Sequence, residues 1–269
     1  MESKPVVLVT GGAQRIGREI ALHLASHGWQ VAVQYRSSAA AAALTVAALR
    51  EAGGTAMAFA ANLADEAECN ALVPAVHEAF GRIDAVVNNA SLFEYDDVAS
   101  FSVKRMEAHW RANTAPAILL ARALHAQLGA SKGEGDRDGA GCVVNILDQK
   151  LWNPNPDYLS YTLSKAALQA ANTLLAQALA PRVRVCGVAP GVTMLSGEMS
   201  GTEFAASHTM TPLRRGSTPQ DVARAVYFLL TSPAITGTTL LVDGGQHLQA
   251  QARDVMFIAR DTSAETKEN

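Results

Sequence analysis

Short runs of apolar residues alternate along the chain with longer stretches whose apolar positions recur at helical spacing. The short runs Val6–Thr10, Gln30–Tyr35, Ala56–Ala60, Ala85–Asn88, Cys142–Ile146, Arg184–Val188 and Thr239–Val242 predict strands. Between them, Ile16–His27, Ala39–Ala52, Glu66–Phe80, Val103–Leu128, Tyr158–Leu179 and Pro219–Leu230 predict helices. Such alternation marks βαβ units, so the expected fold class is α/β: one domain over residues 1–248, with a seven-stranded parallel sheet flanked by helices. Two segments break the rhythm. Ser131–Ala140 is polar and glycine-rich and reads as a surface loop. Val192–Pro212 is long for a connection and carries Met194, Leu195, Met199, Phe204 and Met210, which suits an active-site lid. Residues 249–269 read as a partly disordered tail, unless Val255–Ile258 docks on a neighbouring subunit.

Composition narrows the function without naming it. The 269 residues suffice for a substantial core, and a net charge of −3 argues against a broad nucleic-acid surface. Cys69, Cys142 and Cys186 show no CxxC spacing and read as reduced core thiols, which suits a cytoplasmic protein. No signal peptide or membrane span is visible, since the apolar run Ala39–Leu49 falls short of the roughly 20 residues a span needs. His109, His208 and His247 have no metal-ligand spacing, and no metal is expected.

Candidate chemistry begins at VVLVTGGAQRIG, Val6–Gly17: a buried strand, a glycine turn, then a helix start. Such a turn lets backbone N–H groups and a helix N-terminus approach a pyrophosphate, placing Gly11, Arg15, Ile16 and Gly17 beside a dinucleotide. The second strand ends in Tyr35-Arg36-Ser37-Ser38, and no acidic residue occurs from Val31 to Arg50. An acid there would hold a ribose 2′-OH, whereas arginine accommodates a 2′-phosphate, so NADP(H) is favoured over NAD(H). Farther on, Tyr161 and Lys165 stand four residues apart on a predicted helix and share one face. A phenol of pKa about 10 is a poor acid near neutrality, and a nearby lysine cation is sufficient to lower it.

Together, the glycine turn and the Tyr161–Lys165 pair resemble the short-chain dehydrogenase/reductase family, over essentially residues 5–248. The resemblance implies a Rossmann-like, doubly wound sheet in the order 3-2-1-4-5-6-7. It also implies cofactor contacts from Asn62 and Leu63 after the third strand, from Asn89, Ala90 and Ser91 after the fourth, and from Pro190, Gly191 and Thr193 after the sixth. Asn113 matches the family's asparagine that supports a water relay, and the lysine also holds the nicotinamide ribose. Two departures narrow the likeness. Arg15 replaces a glycine, and Asp148 replaces the usual serine that donates to a carbonyl oxygen. Both changes, with Asn89-Ala90-Ser91, Phe93 and Pro190–Leu195, resemble the pteridine reductases within the family. That likeness implies a substrate site of Arg15, Ser91, Phe93, Asp148, Tyr161 and Leu195, with Phe93 stacking on a pterin. The implied reaction is NADPH-dependent reduction of a dihydropterin or dihydrofolate-like C=N bond, with no nucleic-acid or membrane partner. A carbonyl or 3-oxoacyl reductase and a catalytically silent NADP(H)-binding regulator remain as alternatives. Family members usually form tetramers through two long helices, here Val103–Leu128 and Tyr158–Leu179, and a homotetramer is expected.

Overall fold

The computed structural model describes residues 4–130, 141–195 and 200–259. The predicted loop Ser131–Ala140 lies outside the described residues. Seven parallel strands run β1 Val6–Val9, β2 Gln30–Tyr35, β3 Ala56–Ala60, β4 Ala85–Asn88, β5 Gly141–Ile146, β6 Val183–Pro190 and β7 Thr239–Val242. They pair in the expected order β3-β2-β1-β4-β5-β6-β7, in one sheet. The reversal of direction between β1 and β4 opens a crevice at the carboxyl ends of the strands, where ligands bind in such sheets.

Alternation along each strand splits the core in two. Val7 and Val9 of β1 face a cluster with Ile20, Leu24, Leu49, Val222 and Val226, whereas Val6 and Leu8 face one with Leu72, Val73, Leu120 and Leu124. The first cluster is capped by α1 Arg15–Ser26, α2 Ala39–Glu51 and α8 Pro219–Leu230; the second by α3 Glu66–Phe80, α5 Ala115–Ala130 and α6 Leu159–Ala178. Helix ends follow local signals. Asp65 accepts from the N–H groups of Ala67 and Glu68 to start α3, and Gly81, with φ of +76°, ends it. Thr218 and Asp221 form a capping box before α8, with Pro219 in its first turn. Cys69, Cys142 and Cys186 are buried and unpaired.

Three expectations need correction. The stretch Val103–Leu128 is not one helix: α4 Val103–His109 passes into a π turn at Trp110–Thr114 before α5 begins. Pro116 has no N–H to give the carbonyl of Ala112, and the ladder shifts register so that Ala115 N–H reaches the carbonyl of Trp110. The lid segment contains a helix, α7 Gly201–Thr209, started by a capping box of Ser200 and Glu203; a Ser-x-x-Glu signal was present to announce it. Residues 196–199 lie outside the described residues. The tail is not frayed up to residue 259. Residues 255–259 are helical, and Val255, Met256 and Ala259 are buried within this chain, so ordered structure continues past residue 248. Residues 260–269 lie outside the described residues.

Candidate active site

A cavity of about 530 Å³ runs along the carboxyl ends of the strands, within the usual range for small-molecule sites. Its cofactor-side wall is held by side chains that bond to backbone. Gly11 has φ of +59°, a conformation that glycine adopts without strain. The Gln34 side chain accepts from Gly11 N–H at 2.8 Å and donates to the Ala61 carbonyl at 2.8 Å, fixing the turn against β3. Thr10 Oγ1 accepts from the N–H groups of Asn89 and Ala90, while the Asn89 amide donates to the Thr10 carbonyl at 3.0 Å. A Cβ on Gly17 would sit 2.3 Å from the Gly11 carbonyl oxygen, so α1 approaches this turn as closely as its backbone allows. Arg15, with φ of +53°, occupies the left-handed region that favours glycine. Its guanidinium donates to the Leu195 carbonyl at 2.7 Å and ties the turn to the lid segment.

The substrate-side wall is centred on Asp148. Tyr161 Oη donates to Asp148 Oδ2 at 2.8 Å, and Lys150 N–H donates to Asp148 Oδ1 at 2.8 Å. Lys165 Nζ donates to the Ile146 carbonyl at 2.7 Å and lies 5.8 Å from the Tyr161 ring centroid. Burial pushes the Asp148 carboxyl above the usual range, against the hydrogen bonds from Lys150 and Tyr161. Burial pulls Lys165 down to about 8. Tyr161 is pushed well above its ordinary value, first by burial and then by the Asp148 charge. This reverses the expectation that Lys165 would make Tyr161 a stronger acid: the phenol faces a carboxylate, while the ammonium is spent on a carbonyl.

Of the residues singled out in the sequence, Gly11, Arg15, Ile16, Gly17, Arg36, Asn62, Leu63, Asn89, Ala90, Ser91, Phe93, Asp148, Tyr161, Lys165, Pro190, Gly191 and Thr193 line this cavity. Four do not. Tyr35 packs on the core, Ser37 is exposed beside the cavity mouth, and Leu195 contributes its carbonyl to Arg15 while Met194 lines the wall. Asn113 is buried behind the wall. Its Oδ1 accepts from Leu92 N–H at 2.7 Å and Ser91 Oγ at 3.2 Å, and its Nδ2 donates to the Leu92 carbonyl at 3.0 Å and Ser164 Oγ at 2.9 Å. An asparagine amide has two acceptor and two donor sites, so these bonds saturate the side chain. It positions the Ser91–Leu92 segment. Phe93 does line the cavity, yet its ring already stacks on Tyr158, with centroids 4.2 Å apart.

Sequence reasoning missed the terminal segment. Lys150 Nζ donates to the Asp157 carbonyl at 2.6 Å and to Asp254 Oδ2 at 3.2 Å, while Asp157 Oδ2 accepts from Asp254 N–H at 2.7 Å and Arg253 Nε at 2.9 Å. These bonds seat Asp254, Val255 and Met256 in the cavity wall. Gln34 and Gln246 were missed as well, and neither belongs to a local pattern. Among the described residues no cluster of His, Cys, Asp or Glu is arranged to hold a metal, and no helix is long and apolar enough to cross a membrane.

Comparison with known proteins identifies the family. A family model described as enoyl-(acyl carrier protein) reductase matches residues 11–247. The chain belongs to the short-chain dehydrogenase/reductase family. Within that family, the structure is similar to that of FolM alternative dihydrofolate reductase 1 from Brucella suis in complex with NADP. The TM-score is 0.86 at 37% identity, covering 94% of this chain and 99% of that one. Pteridine reductase 1 of Leishmania tarentolae is 31% identical, over 91% of this chain and 96% of its own. The 3-oxoacyl-[acyl-carrier-protein] reductase of Synechocystis sp. is 32% identical, over 89% of this chain and 96% of its own. Short-chain reductases with different printed activities thus share 31–37% identity with this chain, and the side chains at the site must separate them.

Proposed function

We propose that this short-chain reductase uses NADPH to reduce a C=N bond of a dihydropterin or dihydrofolate-like substrate. The observation that carries the proposal is the Asp148–Tyr161 contact of 2.8 Å inside the cavity. A carboxylate there opposes the negative charge that develops on a ketone oxygen during reduction, whereas a basic ring nitrogen welcomes a carboxyl partner. The likeness to the FolM and pteridine reductase proteins supports the same reading.

The cofactor fits the residues present. The N-terminus of α1 lines the cavity and its cap, Gln14, makes no side-chain capping bond, which leaves N–H donors for phosphate. Glycine is required at position 17 by the 2.3 Å approach described above. Arg36 and Asn62 both line the cavity, and the Arg36 guanidinium suits a 2′-phosphate. NADPH, when bound, supplies the hydride that adds to the carbon of the C=N bond.

The chain supplies the matching proton to the nitrogen. Asp148, pushed above the usual carboxyl range by burial, gives the proton to the nitrogen from its acid form; the Tyr161 hydroxyl donates a hydrogen bond to the carboxylate this leaves, and solvent restores the acid form. Lys165 contributes positive charge at the floor of the site, and Ser91, Phe93 and Arg15 shape its mouth. Assembly as a homotetramer through the faces of α5 and α6 accompanies this reading; Trp110, Leu163 and Leu174 are exposed apolar residues on or beside those helices.

A second reading, an NADPH-dependent carbonyl or 3-oxoacyl reductase, is favoured by the intact Tyr161–Lys165 pair and by the relatives of that activity. The test follows NADPH oxidation by absorbance with dihydrobiopterin, dihydromonapterin, dihydrofolate and an acetoacetyl thioester. Turnover of the thioester alone overturns the proposal, and turnover of none supports the silent-regulator alternative.

A further inference from the structure

Immediately after Asp148, a 3-10 turn carries Gln149, Lys150 and Leu151. Gln149 is 9% exposed and lines the cavity, and its Oε1 is buried without a hydrogen-bond partner. Buried amides are normally bonded, because an unmade bond leaves the desolvation of the group uncompensated. Gln34, also buried and also lining the cavity, shows the ordinary outcome, with both ends of its amide engaged by Gly11 and Ala61. Other buried side-chain atoms without partners, on His77, His109, Arg184 and His208, lie away from the cavity. Among the described residues, Gln149 alone combines an unmade bond with a position on the cavity wall.

Its neighbours do not supply the missing partner. Asp148 is occupied by Tyr161 and by the N–H of Lys150, and the Lys150 ammonium is held by Asp157 and Asp254. A group entering the cavity can. A primary amide presents a donor and an acceptor side by side in one plane, and exchanging its O and N leaves that pairing intact. The complementary ligand edge carries adjacent N–H and C=O groups, as the lactam of a pyrimidinone ring does. The reacting end of a β-keto thioester offers carbonyl oxygens but no N–H.

We propose that Gln149 is a specificity-determining residue whose side-chain amide takes the N–H/C=O edge of a planar heterocyclic substrate held beside Asp148. The proposal rests on the dihydropterin reading above and extends it to recognition of the ring. A site built to bond a polar edge discriminates strongly against ligands that lack it.

The test substitutes Gln149→Leu, which keeps side-chain bulk and removes the amide. KM for dihydropterin should rise about tenfold or more, while KM for NADPH and kcat/KM for an acetoacetyl thioester stay within about twofold. Melting temperature should hold or rise, because an unbonded buried amide has been replaced by an apolar group. Should the leucine variant fail to fold, Gln149→Met carries the same comparison. A dihydropterin KM that does not move overturns the proposal, as does a parallel loss on both substrates with a lower melting temperature. A parent enzyme that reduces the thioester but no pterin overturns the functional reading and this proposal together. A parent active on dihydropterin whose leucine variant is unchanged overturns this proposal alone.

Discussion

The two ends of the cavity are built on different principles. At the cofactor end, backbone forms the surface: a glycine turn and a helix N-terminus make one wall, and the side chains of Thr10, Asn89 and Gln34 brace it. At the substrate end, side chains do it, drawn from the π turn region, the 3-10 turn after β5, α6 and the terminal segment. Backbone geometry tolerates few residue types and leaves a recognisable pattern. Side-chain geometry can be changed one residue at a time, which is how a shared scaffold serves several substrates.

Damage at the substrate end should abolish chemistry while leaving the cofactor bound. Tyr161→Phe keeps the ring and removes the hydroxyl that contacts Asp148. Turnover should fall about 100-fold or more with NADPH affinity near that of the parent, read by steady-state kinetics and by fluorescence titration of NADPH. Near-parental turnover in an assay limited by chemistry would remove Tyr161 from the proton path.

Asp148→Ser sharpens the comparison within the substrate end. Pterin reduction should drop about 100-fold, while any activity on ketones is spared or raised because an opposing charge is gone. The readout is the ratio of kcat/KM for dihydropterin over ketone. A ratio that stays constant means Asp148 only caps the 3-10 turn through its bond to Lys150 N–H, and then the melting temperature should fall with both activities.

The cofactor end should respond to two changes of its own. Arg36→Asp should weaken or reverse the preference for NADPH over NADH by about tenfold to a hundredfold, the range for a charge-assisted contact. Equal efficiencies with the two cofactors in the parent would sink the assignment. Gly17→Ala places a methyl group against Gly11 and Asn89. It should cost about 1–3 kcal/mol of stability, seen as a lower melting temperature, and raise KM for NADPH more than KM for substrate.

The smallest effect expected is in the pH dependence, and its sign separates catalysis from folding. Lys165 is pulled down to about 8, so its charge is lost as pH rises through that value and kcat/KM should decline. In the unfolded chain a lysine keeps its proton to about 10.5. Between about 8 and 10.5 the unfolded state binds more protons, and this group's contribution to stability therefore rises with pH. Activity and the Lys165 contribution to melting temperature should move in opposite directions across that window. Lys165→Met should remove the rise in stability; melting curves of the cofactor-free protein at pH 8 and 10, for parent and variant, check it.

What the sequence could determine was whatever is encoded locally. The parallel sheet followed from βαβ alternation and its strand order from family likeness, and Gly11, Gly17, Arg36 and Asn89 could be singled out as cavity-lining residues because turns and strand ends need particular residues at fixed spacing. The departures at Arg15 and Asp148 were also visible, since each stands at a defined distance within a motif. Tertiary structure decided the rest. Lys150 and Asp254 are 104 positions apart, and no local pattern announces a pair that meets only after the sheet has formed. The saturation of Asn113, the stacking of Tyr158 on Phe93 and the upward shift of Tyr161 have the same origin. Hydrogen-bond capacity, ring contacts and burial belong to the environment a side chain finds. That environment is assembled from distant segments, so Asp148 could be located in the sequence but its partner and its protonation could be read only in the fold.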